Sequence, residues 1–329
     1  LNKTLITAAV LTAFAGAASA QVTLYGLIDA SYGKSLLGDV FLNQKADFHS
    51  GGDNDNSEGN STTRVGLKGS TDVGSGLKAN FRFESNGITS DGDVNSPTIG
   101  RQAWLGLSGG FGEVRLGRQD SVSFQTMIDF DFNGASNGVS AGGYAAVGPW
   151  LPGRQSRSLQ YISPSIAGAT VQLGFQPEGN GGPGAKNVFS AGAKFGAGPL
   201  MVGASMETKR TDTSKGFWSV AGSYDLGIVK ASLSYADGGK YIDGGTGKGI
   251  VAGLVAPIAG FNIGGHYAIN NDSDLKIKSL ELFVNREIFK NTIAYVEFGD
   301  WKTDLATNPY NAAAKTSGTG AAVGIIYVF

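Results

Sequence analysis

From Gln21 to Phe329, apolar and polar residues alternate in run after run of about ten residues. In LKANFRFE, Leu77, Ala79, Phe81 and Phe83 alternate with Lys78, Asn80, Arg82 and Glu84. IVKASLSY sets Val229, Ala231, Leu233 and Tyr235 against Lys230, Ser232 and Ser234, and TVQLGFQ sets Val171, Leu173 and Phe175 against Gln172, Gly174 and Gln176. Successive side chains of a β-strand point to opposite faces, so each run is a strand with one greasy face and one polar or very small face. In water such a strand turns its apolar face to a core. In an outer membrane it turns that face to lipid and its polar face to a lumen.

Loop lengths separate the two. Strands are expected near residues 21–32, 61–69, 76–85, 98–108, 111–118, 157–163, 169–177, 187–196, 199–207, 215–225, 227–236, 247–256, 259–269, 275–286, 291–300 and 318–329, sixteen in all. Short glycine-rich turns such as DVGSG, SGGFG, GAGP and PIAG alternate with mostly longer, polar connections, the first being GKSLLGDVFLNQKADFHSGGDNDNSEGN. A soluble sandwich has no reason to sort its loops by parity, whereas an up-and-down barrel inserted from one side of a membrane does. An even count puts both ends of the barrel chain at the short-turn end. The last strand, TGAAVGIIYVF, then closes the barrel on the strand beginning at Gln21 and leaves no open edge in lipid. The expected fold is therefore all-β: a 16-stranded antiparallel transmembrane β-barrel, with Phe329 at the membrane interface.

Composition narrows the function. The 52 glycines lack a triplet period, there is no cysteine for thiolate chemistry or disulfides, and 26 basic against 27 acidic residues give no case for nucleic-acid binding. Past Gln21 no run of about 18 apolar residues suggests a membrane helix. Residues 1–20 read as a signal peptide, with Lys3 ahead of LITAAVLTAFAGA and an Ala18-Ser19-Ala20 cleavage site. The barrel domain is residues 21–329.

The phrases VTLYGLIDASYG, TRVGLKGSTDVGSGLKANFRFE, RQAWLGLSGGFGEVRLGRQ and LQYISP, with the terminal aromatic, resemble the Gram-negative general porins, particularly their β-proteobacterial branch. The resemblance implies an outer-membrane homotrimer of sixteen-stranded barrels, set in lipopolysaccharide and outer-membrane lipid. It also implies a third loop folded into each barrel to form a constriction. Here that position falls at residues 119–157, an irregular segment of the length that loops with a function tend to have. Matching motifs places the family's basic ladder at Arg64, Arg101 and Arg154, with Arg157 beside it. Alternation adds Arg82, and shared parity in IDFDFNG puts the carboxylates of Asp129 and Asp131 together on the loop.

Such charges across a narrow aqueous gap set up a transverse field that favours polar solutes. The expected function is a water-filled channel for passive diffusion of ions and small hydrophilic solutes, with no catalytic residue, cofactor or metal. Ion preference stays open, because Gln160 stands where the sixth strand would carry a basic residue. Arg118 shares the parity of Val114 and Leu116 and is expected at its strand's end. Trp104 is expected outward, at a flat trimer contact. The acidic run at 53–59 lacks the glycine and distal glutamate of an EF-hand and is expected to be an exposed loop tip. A substrate-selective porin would use aromatics such as Tyr25, Tyr144 and Trp150. A barrel enzyme would need His49 or His266 paired with a nucleophile, and a lumen histidine with satisfied hydrogen bonds is the expectation for His266. A non-conducting surface adhesin would carry its function in the loops.

Overall fold

The computed structural model describes residues 21–51, 58–85, 88–90, 99–180, 184–238, 247–309 and 311–329. The segment read as a signal peptide lies outside them. The strands are β1 (Gln21–Lys34), β2 (Asp47–Ser50), β3 (Arg64–Gly74), β4 (Leu77–Glu84), β5 (Gln102–Gly109), β6 (Gly112–Asp120), β7 (Arg154–Ile162), β8 (Ala169–Gln176) and β9 (Val188–Ala197). They continue with β10 (Leu200–Glu207), β11 (Phe217–Asp225), β12 (Lys230–Asp237), β13 (Lys248–Ile258), β14 (Phe261–Asn270), β15 (Ile277–Phe289), β16 (Thr292–Thr303) and β17 (Ser317–Val328). All except β2 are the staves of one closed antiparallel barrel of sixteen strands.

Closure runs through β1 and β17, in register from Leu27 opposite Val328 to Lys34 opposite Ala321. Phe329 continues the ladder: Gly26 N–H donates to its carbonyl at 2.9 Å and its own N–H donates to Gly26 O at 3.1 Å. With no water in the bilayer core, a closed ladder is the way strands satisfy every backbone group. The seventeenth strand, β2, is one that the period-two signal does not announce. The other edge of β1 pairs with β3 from Gln21 to Leu27, and β2 pairs with it from Ala30 to Gly33. It covers the part of the edge that β3, starting only at Arg64, does not reach.

The short-turn end is tight for a geometric reason. Ser75 and Gly76, and again Ala259 and Gly260, carry φ values of +55, +75, +51 and +80. Two successive positive φ angles make the mirror-image turn whose twist matches the strands it joins. Aromatics gather beside these turns with their rings outside: Phe111, Tyr224, Phe261, Phe289 and Phe329 are all exposed. That is the girdle a barrel sets at a membrane interface. Between the rims the outward face is aliphatic, as at Leu24, Leu105, Leu116 and Leu233.

The packed core is not at the barrel axis. It lies where the third long loop, residues 121–153, meets the inner wall. Helix α1 (Leu36–Leu42) belongs to the first loop; α2 (Val122–Met127), a 3-10 turn (Ile128–Phe130) and α3 (Ala141–Tyr144) belong to the third. Serine caps start each helix: Ser35, Ser121 and Ser140 accept from the backbone N–H of Gly38, Phe124 and Gly143. Helix α2 rests on β8, β9 and β10, the 3-10 turn on β11 and β12, and α3 on β13 to β16. Lumen-facing glycines admit it. A Cβ on Gly203 would stand 2.8 Å from the Phe130 ring and 3.0 Å from Met127 Sδ. Met127, Phe130 and Trp150 pack there with Ala221, each contributing about 1.5–3 kcal/mol by burial.

Candidate functional site

On β3 to β6 alternation sends alternate side chains to the lumen, and a row of arginines lines that part of the wall. Glu84, at the end of β4 and 2% exposed, is its centre. Its carboxylate takes Arg82 at 2.7 Å, Arg101 at 2.6 Å and Arg64 at 3.8 Å, while Tyr25 donates its hydroxyl to Oε2 at 2.7 Å. Arg82 Nε also donates to the Tyr25 oxygen at 2.6 Å. Arg64 donates to Thr62 O and Ser61 Oγ, which hold it against the loop that enters β3. One carboxylate is shared by three guanidinium groups, so this cluster keeps net positive charge.

The row continues on β6 and β7. Arg115 pairs with Glu113 at 2.6 Å and lies 4.4 Å from the centre of the Trp104 ring. Arg154 sits 3.4 Å from Asp120. Arg118 donates to Ser156 Oγ and to the carbonyl of Gly100. Arg64, Arg82, Arg101 and Arg154 thus lie along the wall of β3 to β7, whereas the helices of the third loop rest mainly on β8 to β16.

Arg157 is elsewhere. The β6–β7 register slips by one residue between Gly117 and Gln119, and Arg157 takes φ +50 at that slip. Gln155 and Ser158 are both buried while Arg157 joins Leu159 among the exposed residues, directed to Gly179 O at 3.4 Å. The bulge turns this motif-matched position away from the lumen. Trp104 corrects the sequence reading in the same way. Arg101 precedes β5 and reaches Glu84 from the rim, so it does not share the strand's alternation; Gln102 and Trp104 face in, with Trp104 Nε1 donating to Gln102 Oε1 at 3.0 Å.

The two loop carboxylates do not act together. The 3-10 turn over Ile128–Phe130 breaks the extended parity, so Asp129 meets Lys194 of β9 at 2.5 Å whereas Asp131 turns to the wall and is buried. Burial pushes the Asp131 carboxyl up to about 6. Beside it His266 of β14 accepts from Phe132 N–H at Nε2, 3.1 Å, and faces Glu281 of β15 through Nδ1, 3.3 Å. Both imidazole nitrogens are committed and no hydroxyl is among their partners, as expected of a satisfied histidine.

The aromatics form no track. Trp150 is packed in the core under the loop, Tyr144 donates to Asn137 O, and Tyr25 is tied to Glu84. Most of the acidic run at 53–59 lies outside the described residues, but Glu58 is not an exposed tip: it is fully buried and accepts from Gln44 Nε2 at 3.2 Å. Alternation alone marks one further member of the wall: GEVRLG places Arg115, with Glu113, on the face away from Val114 and Leu116.

A family model described as Gram-negative porin matches residues 7–306. The chain is similar to outer membrane porin protein 32 of Delftia acidovorans, 28% identical with both chains fully covered. It is also 29% identical to an outer membrane porin of Bordetella pertussis, covering 83% of this chain and 78% of that one. Among solved structures the anion-selective porin from Comamonas acidovorans superposes with a TM-score of 0.72 at 23% identity, over 94% of this chain and all of that one. A closed sixteen-stranded barrel, an apolar outer band and a polar, arginine-lined interior agree with these likenesses: the chain belongs to the Gram-negative porin family and forms a channel in the outer membrane.

Proposed function

We propose that the channel prefers anions, and that its constriction lies between the arginine wall of β3–β7 and the third loop. The carrying observation is the imbalance across that gap. Arg64, Arg82 and Arg101 share Glu84, Arg154 has only Asp120 at 3.4 Å, and the loop answers with no free carboxylate among the described residues. Asp129 is neutralised by Lys194 and Asp131 faces away. Fixed positive charge in a water-filled gap raises the local concentration of anions and lowers that of cations. The anion-selective porin from Comamonas acidovorans, whose fold this chain shares, lends the reading support.

Passage is passive diffusion of ions and small hydrophilic solutes, without turnover or cofactor. Family membership supports a homotrimer embedded in outer-membrane lipid and lipopolysaccharide. A liposome-swelling assay tests the preference: anionic solutes should enter faster than cationic ones of equal size, and Arg101→Ala should narrow the difference. Equal rates for both charges in the unmodified protein would remove the proposal.

A further inference from the structure

On the outside of the barrel, one stretch of the apolar band is a furrow. It crosses β15, β16, β17 and β1 to reach β2, and its volume of about 780 Å³ is in the range of small-molecule sites. The floor is a single cross-strand row: Arg286 pairs with Ala294, Ala294 with Ile325, Ile325 with Ala30, and Ala30 with Ser50. The row beside it is taller. Val284, Val296, Val323, Tyr32 and Phe48 follow one another in register, and the last two rings meet edge to face at 5.0 Å. Ile28 and Ile288 stand on the other side. Alternation points both rows away from the lumen, since Asp29 and Tyr295, next in sequence to Ala30 and Ala294, are buried on the inner side. The two alanines lower the floor between branched neighbours.

The furrow has the length of one extended acyl chain, and it is inclined. Four strand spacings of about 4.8 Å separate Arg286 from Ser50, about 19 Å in all. Strands of such barrels tilt by about 35–45°, so a row across them climbs through the bilayer. Arg286 is the low end, at the short-turn rim, which in an outer-membrane barrel faces the periplasm. The exposed girdle residue Phe289 lies just beyond it. Ser50 is the high end, on the long-loop side.

The low end carries an uncompensated cation. Arg286 is exposed and forms no ion pair among the described residues. Its guanidinium lies 5.0 Å from the centre of the Phe261 ring and against the Ala259–Gly260 turn, where a Cβ on Gly260 would stand 3.6 Å from Cζ. Glu287 points to the other face and accepts from Asn291 N–H at 2.9 Å. Lys290, in the turn between β15 and β16, adds a second cation to this rim. Contact with a ring leaves the edge of the guanidinium free, and its paired N–H groups match a phosphate.

We propose that the furrow seats one anionic phospholipid of the periplasm-facing leaflet, with its phosphate on Arg286 and one acyl chain laid along Ala294, Ile325 and Ala30. The membrane supplies this occupant: the furrow is apolar along its length, opens on the lipid side, and ends in positive charge at headgroup depth. Lipid A has its phosphates in the opposite leaflet, where the row ends on a serine.

Native mass spectrometry of the folded protein in mild detergent, titrated with dioleoylphosphatidylglycerol, reads the site. One lipid per protomer should survive removal of the detergent. Arg286→Gln removes the cation and should lower the bound fraction about tenfold, the worth of one charge-assisted hydrogen bond. Ala294→Phe fills the floor and should lower it as far with Arg286 intact. Both positions face away from the lumen, so the heat-resistant folded band and the reversal potential should stay as in the unmodified protein, which separates this site from the anion preference. Lipid A should not displace the phosphatidylglycerol, and neither should glycerol phosphate, which lacks the chains. Equal retention by the unmodified protein and Arg286→Gln overturns the proposal, as does displacement by lipid A or by glycerol phosphate. An unmodified protein that holds no lipid, and whose subunits come apart in Ala294→Phe, also overturns it, because a second copy of the chain then covers the furrow.

Discussion

Glu84→Gln removes the one charge that Arg64, Arg82 and Arg101 share while keeping an oxygen in place to accept from them. An ion passing about 7 Å away would feel the lost charge as ~0.6 kcal/mol in water. Screening in about 0.1 M salt halves this to ~0.3 kcal/mol. Anion occupancy then rises, and cation occupancy falls, each by a factor of about 1.7, so the anion-to-cation permeability ratio should increase about threefold. Stability should drop by about 1–3 kcal/mol, a figure reduced from the usual cost of breaking a buried pair because the arginines are 15–35% exposed to the wet lumen. The assay is the reversal potential of the refolded variant in a planar bilayer, with its heat-resistant folded band as control. A folded variant with an unchanged ratio, or one shifted toward cations, would refute the idea that Glu84 is a counter-charge at the filter.

Lys194→Ala frees Asp129 to face the arginine wall, and should lower the same ratio about threefold; no change would mean that the pair stands away from the ion path. Asp131→Asn should stabilise the protein in alkaline urea titrations. The Asp131 carboxyl is raised by burial from 3.8 to about 6, so its cost is absent below about 3.8, sets in as pH rises, and is complete above about 6. The gain should be about 1–3 kcal/mol at pH 8 and should fade in acid; a gain independent of pH contradicts the cause. Gly203→Val drives a side chain into Phe130 and Met127, at an overpacking cost of about 1–3 kcal/mol, and should unseat the loop. Conductance should rise and protease should cut within 121–153; unchanged conductance and resistance would show that the glycine is not what admits the loop.

The barrel was legible because its signal is local. LKANFRFE states both faces of β4 by itself, and parity-sorted loops give the topology without any tertiary contact. What failed were positions where the chain leaves strict alternation. A one-residue slip between β6 and β7 puts Arg157 outside, the 3-10 turn divides Asp129 from Asp131, and the late start of β5 turns Trp104 inward. Glu84 was hidden differently. It lies opposite Gly66 on one neighbouring strand and Gln102 on the other, so its arginines come from three separate segments that meet only once the sheet is assembled. The loop's seat was unreadable for a related reason: Gly203 gives no sign in the sequence that it faces Phe130, 73 residues away along the chain.

The most direct test of the account is the zero-current potential of the unmodified protein in a bilayer under a roughly tenfold potassium chloride gradient. An anion-preferring channel gives a potential of the sign set by chloride moving down its gradient, and Arg101→Ala moves that potential toward zero. A potential of the opposite sign, set by potassium, would contradict the arginine wall as the filter.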